Sequence, residues 1–404
     1  MRKTAAVTAL LAVGTLSVGA LRADQAPIAS PAQAAAQETR DAVTPQQLQA
    51  AIDTLGSVEF PTRTAAARTV RRTAADVAVP ALVKAVASHG DSYVRFRALV
   101  LLSGFNDPRI KDAMVASLAE RNDRLRAVAY AYFEHHTDPV ILPRLIDALS
   151  REESEFVRPA LTRALAAHGT DPRLRETMTA LVMKGQDFFR GAVIEAVGDY
   201  RVAQTVPALT TIARLEGPLQ DDAVFALVKI GDKKSLETFV SLQRSAPRSV
   251  QPAVAAAICL LGVNCPSHQG YLTRSLTFAI DNLGYQELLR ASASGLAALA
   301  VTGNKEALAA LIDTGAPTRD PARAAIALAI GTVALRNSAL LLEVLQDSSR
   351  LKPASDLLLE AFDMLEEDFE EERFFVAVRR AYWQAAEGSD ARRTAQALIQ
   401  RLEF

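Results

Sequence analysis

Histidine and cysteine are the residue types in this chain best suited to metal binding or catalysis, and both are scarce. Five histidines and two cysteines occur among 404 residues. His136 and His168 are 32 positions apart, with Glu134 and His135 just before the first. In adjacent helical units of that length the two would lie about 8 to 10 Å apart, which is far for sharing a metal ion. We predict solvated histidines at helix ends, with no metal and no cofactor; a metal held by inward-bent loops is the alternative.

The chain also lacks the motifs of several enzyme classes. Cys-x-x-Cys-His, Gly-x-Ser-x-Gly, the Walker loop and His-Glu-x-x-His do not occur. Haem attachment, serine hydrolase chemistry and zinc protease chemistry are therefore unsupported. We expect no catalytic residues and no enzymatic activity.

Arginine recurs at a nearly constant interval in the first half of the chain. Arg95, Arg126, Arg158 and Arg190 are separated by steps of 31, 32 and 32, and Arg63 lies 32 positions before the first of them. A fixed period in this range is typical of stacked helical repeats. The spacing therefore predicts a solenoid.

A second marker lies between these arginines. Asp-Pro pairs at 107–108, 138–139 and 171–172 each open a new apolar pattern, as expected of an N-cap acid followed by proline at the first helical position. Each period thus holds two helices. The pattern continues with weaker matches beyond Tyr200, and about eleven helix pairs are predicted from Pro45 to the end of the chain.

One interval in the array is longer than the rest. The step from Gln251 to Arg290 is 39, which indicates about seven inserted residues, and insertions in solenoids map to loops. We predict an inserted loop near 262–270.

The two cysteines, Cys259 and Cys265, lie on either side of the start of this insertion. In an oxidising compartment an even count favours a disulfide over a metal site or a catalytic thiol. The bridge requires the helix to end by about Leu261 and the two Cα atoms to approach within about 7 Å. Two reduced thiols are the alternative.

The N-terminal segment has the pattern of an export signal. Met1–Lys3 is basic, Ala5–Val18 is apolar, and small residues follow, so residues 1–23 are predicted to be a cleaved signal peptide. An uncleaved anchor is the alternative, but the run is shorter than the roughly 20 apolar residues of a spanning helix. Residues 24–43 are predicted to be a disordered linker and 44–404 the solenoid. We expect a periplasmic or secreted protein with no membrane span after cleavage.

The charge balance bears on possible partners. The chain has 45 basic and 46 acidic residues, a formal net charge of -1 and a single tryptophan. The chain has no net positive charge that would attract the phosphates of a nucleic acid, so a nucleic-acid partner is not expected.

The repeated unit is an acid, a hydrophobic residue and an arginine before an alanine-rich helix, preceded by a helix that opens on Asp-Pro. It resembles the HEAT repeat, including the subgroup named after phycobilisome lyases, in an exported bacterial member. The resemblance implies an all-α, right-handed α-solenoid (an α-α superhelix of the armadillo-like kind) of about eleven stacked HEAT-like helix pairs. First helices would be convex and second helices concave. At about 9 to 10 Å per pair, the arc would be on the order of 100 Å long.

The resemblance also implies a structural ladder in the turns between helices, in which each acid pairs with an arginine three or four positions later. The ladder residues would be Arg63, Asp91, Arg95, Asp123, Arg126, Glu155, Arg158, Asp187, Arg190, Arg290, Asp320 and Arg323. A ligand-binding arginine stripe is the alternative, and it predicts arginines without acids nearby.

Two further groups of residues carry predictions. Tyr130, Tyr132 and Phe133 form an aromatic cluster that core packing mostly explains, although one ring could reach the groove as a contact. The acidic run 366–372 is predicted to be a solvated turn whose later carboxylates favour a helix N-terminus.

These observations favour a non-catalytic scaffold that binds another protein or a peptide along the concave face. The alternative is a HEAT-type lyase or a small-molecule-binding enzyme with its site in the groove. That alternative requires histidine, acid and cysteine residues that converge on one pocket.

Overall fold

The computed structural model describes residues 43–169, 171–365 and 367–404. The predicted signal peptide and all but the last residue of the predicted linker lie outside the described residues. Val43–Phe404 form one compact unit. Within the described residues there are 22 α-helices and two short 3-10 helices, with no β-strand.

The helices of the first half are α1 (Pro45–Thr54), α2 (Phe60–Arg72), α3 (Ala75–Ser88), α4 (Ser92–Ser103), α5 (Arg109–Ser117), α6 (Asp123–His135), α7 (Leu142–Leu149), α8 (Arg158–Ala167), α9 (Arg175–Met183), α10 (Asp187–Asp199) and α11 (Val206–Arg214). Those of the second half are α12 (Gln220–Ile230), α13 (Ser235–Ser245), α14 (Gln251–Leu260), α15 (Cys265–Asp281), α16 (Gln286–Val301), α17 (Lys305–Gly315), α18 (Ala322–Arg336), α19 (Ser338–Val344), α20 (Ser348–Leu365), α21 (Asp368–Gln384) and α22 (Asp390–Leu402).

Successive helices stack in two layers. Almost every odd-numbered helix packs on the even-numbered helix that follows it, and the even-numbered helices α2 to α20 pack on one another in chain order. The short α19 is the exception, because it packs mainly on α17, α18 and α21. The predicted all-α solenoid is confirmed, and its 22 helices match the eleven predicted pairs.

Small residues allow the even-numbered helices to approach closely. A Cβ atom added to Gly198 on α10 would lie 2.7 Å from the Cα atom of Ala226 on α12, so only glycine fits at this crossing. The alanine-rich α14 is buried on nearly all sides, from Pro252 to Cys259, because it lies between α12, α13, α15 and α16.

The predicted inserted loop at 262–270 is wrong. The chain turns through left-handed residues at Gly262 (φ 81°) and Asn264 (φ 45°), and α15 begins at Cys265. The extra residues lengthen that helix to 17 residues. The turn brings the Cα atoms of Cys259 and Cys265 to 4.1 Å, with their sulfurs in bonding contact. That the native protein carries this bond stays a prediction.

The apolar core is divided into two clusters of buried side chains. The first extends from Leu48 to Ile258, and the second from Ala255 to Phe404. Among the described residues buried in the first cluster, Phe369 on α21 is the only one that follows Ile258.

The two ends of the array meet, so the predicted open arc is wrong. Helix α21 contacts α4 and α6 near the N-terminus and also packs on α18 and α19. The Arg68 Nη2 atom donates a hydrogen bond to the Glu403 carbonyl oxygen at 3.1 Å. The described solenoid is therefore a closed ring with α21 across its inner side.

No single described helix is both long enough and apolar enough to cross a bilayer. Helices α18 and α19 meet those criteria only jointly, and they are bent by 114° at their junction.

Candidate functional site

Arg126 shows how the ladder arginines bind. Its Nε and Nη2 atoms donate to the two carboxylate oxygens of Glu152 at 2.8 and 2.7 Å, and Nη1 donates to the Glu120 carbonyl oxygen at 2.8 Å. Burial raises the pKa of Glu152, but the hydrogen bonds from Arg126 and from the Ser154 backbone outweigh it and leave that pKa lowered. The guanidinium thus joins two units and also binds the turn that follows α5.

Of the four ladder arginines that pair with an acid, three pair with one from further along the chain. Arg95 donates to Glu120 at 2.5 Å, and Arg323 donates to Glu360 at 2.8 Å. The predicted pairing within one turn is found at Asp187, which accepts from Arg190 at 2.9 Å. For the other predicted pairs the local assignment was wrong: Arg95, Arg126 and Arg323 reach an acid of the neighbouring unit, whereas Arg158 binds a backbone carbonyl oxygen of its own unit.

The remaining ladder acids have other roles. Asp91 caps α4 by accepting from the Tyr93 backbone at 2.7 Å, and Asp123 accepts from the Ser154 hydroxyl at 3.0 Å. Glu155 is exposed, and neither it nor Asp320 forms an ion pair within the described chain.

Three ladder arginines lack an acidic partner among the described residues. Arg63 donates to the Ser57 carbonyl oxygen at 2.9 Å, and Arg158 donates to that of Glu152 at 3.0 Å. Arg290 is exposed on α16 and lines a cavity on the inner side of the ring. Among the ladder arginines, Arg290 is therefore the best candidate for a ligand-binding residue.

The predicted solvated histidines divide into two environments. His136 is exposed and stacks on Tyr132 with ring centroids 4.1 Å apart. His168 is only 8% exposed. Its Nδ1 atom donates to the Ala164 carbonyl oxygen at 2.8 Å, and its Nε2 atom accepts from the Asp138 backbone at 3.2 Å. The prediction of solvation was wrong for His168, which joins two units.

The aromatic cluster belongs mostly to the core. Tyr130 and Phe133 are buried, so neither is a groove contact. Burial, followed by the nearby Glu152 charge, raises the pKa of Tyr130 to about 12. Tyr132 is half-buried, and none of the three rings lines either of the two cavities described below.

A second ladder, missed from the sequence, follows the ends of the even-numbered helices. Glu134 on α6 accepts from Arg163 Nε on α8 at 2.9 Å and from the Tyr200 hydroxyl at 2.6 Å. Asp199 on α10 lies 3.0 Å from Arg163 Nη1 and 2.7 Å from Lys229 Nζ on α12. Alternating charges near the ends of successive second helices are the signal that could have revealed it.

His135 lies between two carboxylates at the end of this ladder. Its Nε2 atom is 2.5 Å from Glu370 Oε1 and 4.0 Å from Glu134 Oε1, so these three residues could present ligand atoms to a metal ion. However, Arg163 donates to Glu134, and Arg373 donates to Glu370 at 2.5 Å. These guanidinium charges oppose a bound cation. The arrangement fits an ionic network between helices better than a metal site.

The ionisation of Glu370 reflects that network. Burial raises its pKa, but the hydrogen bond and charge of His135, together with Arg373 and Arg336, outweigh burial and bring the pKa to about 2. Glu370 is therefore held as a carboxylate inside the ring.

From Glu367 onward the acidic run is not a solvated turn; Glu366 lies outside the described residues. Glu370 is 5% exposed and Glu372 is 1% exposed. Glu372 lies 2.6 Å from Arg71 Nη2, and Asp368 forms an ion pair with Arg97. The prediction of solvation was wrong because this run faces arginines from the opposite end of the chain, whereas the later carboxylates do lie in the first turn of a helix, as predicted.

The inner side of the ring contains a cavity of about 1780 Å³ bounded chiefly by α10, α12, α16 and α18. Phe188 at its edge is 74% exposed, and Arg290 lies on the α16 wall. Asp221 and Asp222 on the α12 wall form no ion pair within the described chain. Burial, followed by the charges of Asp221 and Glu195, raises the pKa of Asp222 to about 7.

A smaller cavity of about 740 Å³ lies between the N-terminal even-numbered helices and the segment α20 to α22. Arg124 borders it and lies over the rings of Tyr93 and Phe96, at 5.8 and 5.5 Å from their centroids. This side of the ring is rich in arginine and aromatic groups.

No family model matches the chain, and no curated protein matches it. Similar solved structures include Kap121p, at 12% identity and a TM-score of 0.30 over 89% of this chain and 46% of that chain. Importin beta is similar at 12% identity and a TM-score of 0.29, over 91% of this chain and 65% of that chain. The chain thus spans less than half of Kap121p. The assignment to an α-solenoid stands on the packing of the chain's own helices.

Proposed function

We propose that the chain is a non-catalytic scaffold that binds a protein or a peptide on the inner side of the ring. The observation that carries this proposal is the cavity of about 1780 Å³ between α10 and α18. A cavity bounded by several repeats presents an extended surface rather than a single small pocket, as helical solenoids commonly do.

The cavity wall carries groups that suit a polypeptide ligand. Phe188 offers an exposed ring, and aromatic and arginine residues are enriched among the residues that dominate binding energy. Arg290 supplies a charge with no acidic partner among the described residues, and it would pair with a carboxylate of the ligand. Ala297 and Ala325 leave room for backbone to approach the floor.

The enzyme alternative receives less support. It requires histidine, acid and cysteine groups that converge, and Cys259 is 5% exposed and lines neither cavity. Glu134, His135 and Glu370 do converge, but arginine and tyrosine donors already bind both carboxylates.

Export to the periplasm or the cell exterior is part of the proposal. It is supported by the charge and apolar pattern of residues 1–23. Mass measurement of the intact protein from cells that produce it naturally tests this, with loss of about the first 23 residues expected. A full-length mass would contradict export by a cleaved signal.

The binding proposal can be tested with peptides selected from a random library on the wild-type protein. Labelled peptides would then be titrated with Phe188→Ala and Arg290→Glu variants. We expect affinity to fall about tenfold or more in each, the scale of an interface residue worth about 1.4 kcal/mol.

Matched control variants are Phe278→Ala and Arg144→Glu, which change an exposed ring and an exposed guanidinium on odd-numbered helices outside the cavity. We expect both to bind like the wild type. If the cavity variants keep full affinity, or if the controls lose as much, the cavity is not the binding surface.

A further inference from the structure

The contact that closes the ring joins helices from opposite ends of the chain. Helix α21 packs on α4 and α6, whereas its other neighbours are α18, α19 and α22. Its buried Phe374 and Val378 belong to the C-terminal apolar cluster, and Phe369 alone enters the N-terminal one. The apolar anchoring of α21 is therefore mainly to the C-terminal half.

The polar side chains of α21 that meet the N-terminal helices form ion pairs. Glu372 pairs with Arg71 on α2 at 2.6 Å, Asp368 pairs with Arg97 on α4, and Glu370 accepts from His135 on α6 at 2.5 Å. The acidic residues of α21 thus face a surface that we define as the acid-binding face: Arg71, Arg97 and His135.

Several of these charges are buried without full compensation. Arg97 Nε and Arg379 Nη1 are buried and have no hydrogen-bond partner within the described chain, and Glu372 is 1% exposed. Removing charges from water carries a large free-energy cost. The attraction within a buried ion pair offsets that cost only in part or at most cancels it. Opening the ring would return both sides to water, so this contact is weak compared with an apolar interface of the same size.

One glycine is required for the contact. A Cβ atom added to Gly104, at the end of α4, would lie 2.6 Å from Glu372 Oε1 and 3.2 Å from its Cδ atom. The backbone of Gly104 is in the right-handed helical region, so glycine is needed there for space and not for its conformation.

We propose that Glu367–Glu372 is a releasable latch that closes the ring by occupying the acid-binding face, and that an acidic helix of a partner protein binds this face when the latch is released. The occupant in the structure defines the chemistry of the partner: a helix with several carboxylates around one aromatic side chain. The acid-binding face is distinct from the cavity between α10 and α18, so the latch goes beyond the binding function proposed above.

The test uses the full chain and a labelled synthetic peptide of residues 367–384 as the probe. In the wild type, the tethered latch competes at the high effective concentration of an intramolecular ligand. We expect the peptide to bind a Glu370→Gln/Glu372→Gln variant about tenfold or more tightly than the wild type. Adding Arg71→Glu and Arg97→Glu should abolish that binding, and a scrambled peptide should not bind.

A second variant keeps the proposal testable if the first variant does not fold. Gly104→Ala keeps every charge and adds one methyl group at the latch, whereas Gly90→Ala, whose added Cβ would meet nothing within 4 Å, is its matched control. We expect small-angle scattering to show a larger radius of gyration for Gly104→Ala only. A radius of gyration unchanged in Gly104→Ala, equal binding of the peptide to the wild type and to the Glu370→Gln/Glu372→Gln variant, or binding that survives the arginine reversals would overturn the proposal.

Discussion

Arg71 and Glu372 are 301 positions apart in the chain, yet their side chains form an ion pair 2.6 Å long with exposed fractions of 7% and 1%. This pair joins the second helix of the array to the last helix pair. It shows that the solenoid is held by contacts between its ends as well as by contacts between successive units.

The Arg71→Ala variant should lower the free energy of unfolding by about 3 kcal/mol, because it leaves the buried Glu372 carboxylate with only Arg379 as a partner. Urea unfolding followed by circular dichroism measures this change. The adjacent and exposed Arg72→Ala should change stability by less than about 0.5 kcal/mol. Equal losses in the two variants would show that the ion pair is not what stabilises the closed ring.

The Arg126→Ala variant should lower the free energy of unfolding by about 1 to 3 kcal/mol, because Glu152 and the carbonyl oxygens of Glu120 and Arg121 lose their donor. Arg109→Ala is the control, since its ion pair with Asp107 joins residues two positions apart at the surface and should contribute little to stability. If Arg126→Ala keeps its stability but loses ligand binding, the ladder is a binding site instead.

We expect the titration of Glu371 to contribute to the pH dependence of the free energy of unfolding. Burial, followed by the charge of Asp368, raises the pKa of Glu371 from 4.5 to about 8. Between these values the folded chain holds a proton that the unfolded chain has released. Its contribution to the free energy of unfolding therefore falls as the pH rises across that window.

The Glu371→Gln variant should remove this contribution and flatten the profile between pH 5 and 8, measured by urea unfolding at fixed ionic strength. Asp356→Asn, outside the latch, is the control: because hydrogen bonds from Lys352 and Arg401 lower the pKa of Asp356, its contribution is fully present above the usual aspartate pKa and is lost only as the pH falls. A Glu371→Gln profile as steep as that of the wild type would show that Glu371 is not the group responsible.

Cys259 and Cys265 should form a disulfide in the native exported protein. Both should resist alkylation until reduced, as mass analysis would show. Since the loop they close is short, the bond should contribute less than the typical 2 to 4 kcal/mol, and reduction should lower the melting temperature only slightly. Detection of two free thiols in the native protein would contradict both the bond and the proposed compartment.

The amino-acid sequence by itself determined the repeating unit. The steps of 31 and 32 residues between arginines, the Asp-Pro helix starts and the alternation of apolar positions are local signals. They act within one or two helices, because caps, turns and amphipathic faces depend on neighbouring residues. The number of helix pairs and the α-helical class could therefore be predicted.

Only the tertiary structure decided which groups meet across the array. Arg126 was predicted to bind an acid three positions away, but it binds Glu152 in the next unit. The acidic run was predicted to be solvated, but its carboxylates face Arg71 and Arg97. A run of acidic residues is compatible both with exposure to water and with contact to distant arginines. The small rotation between successive repeats, summed over eleven pairs, determines which of these two environments the run has.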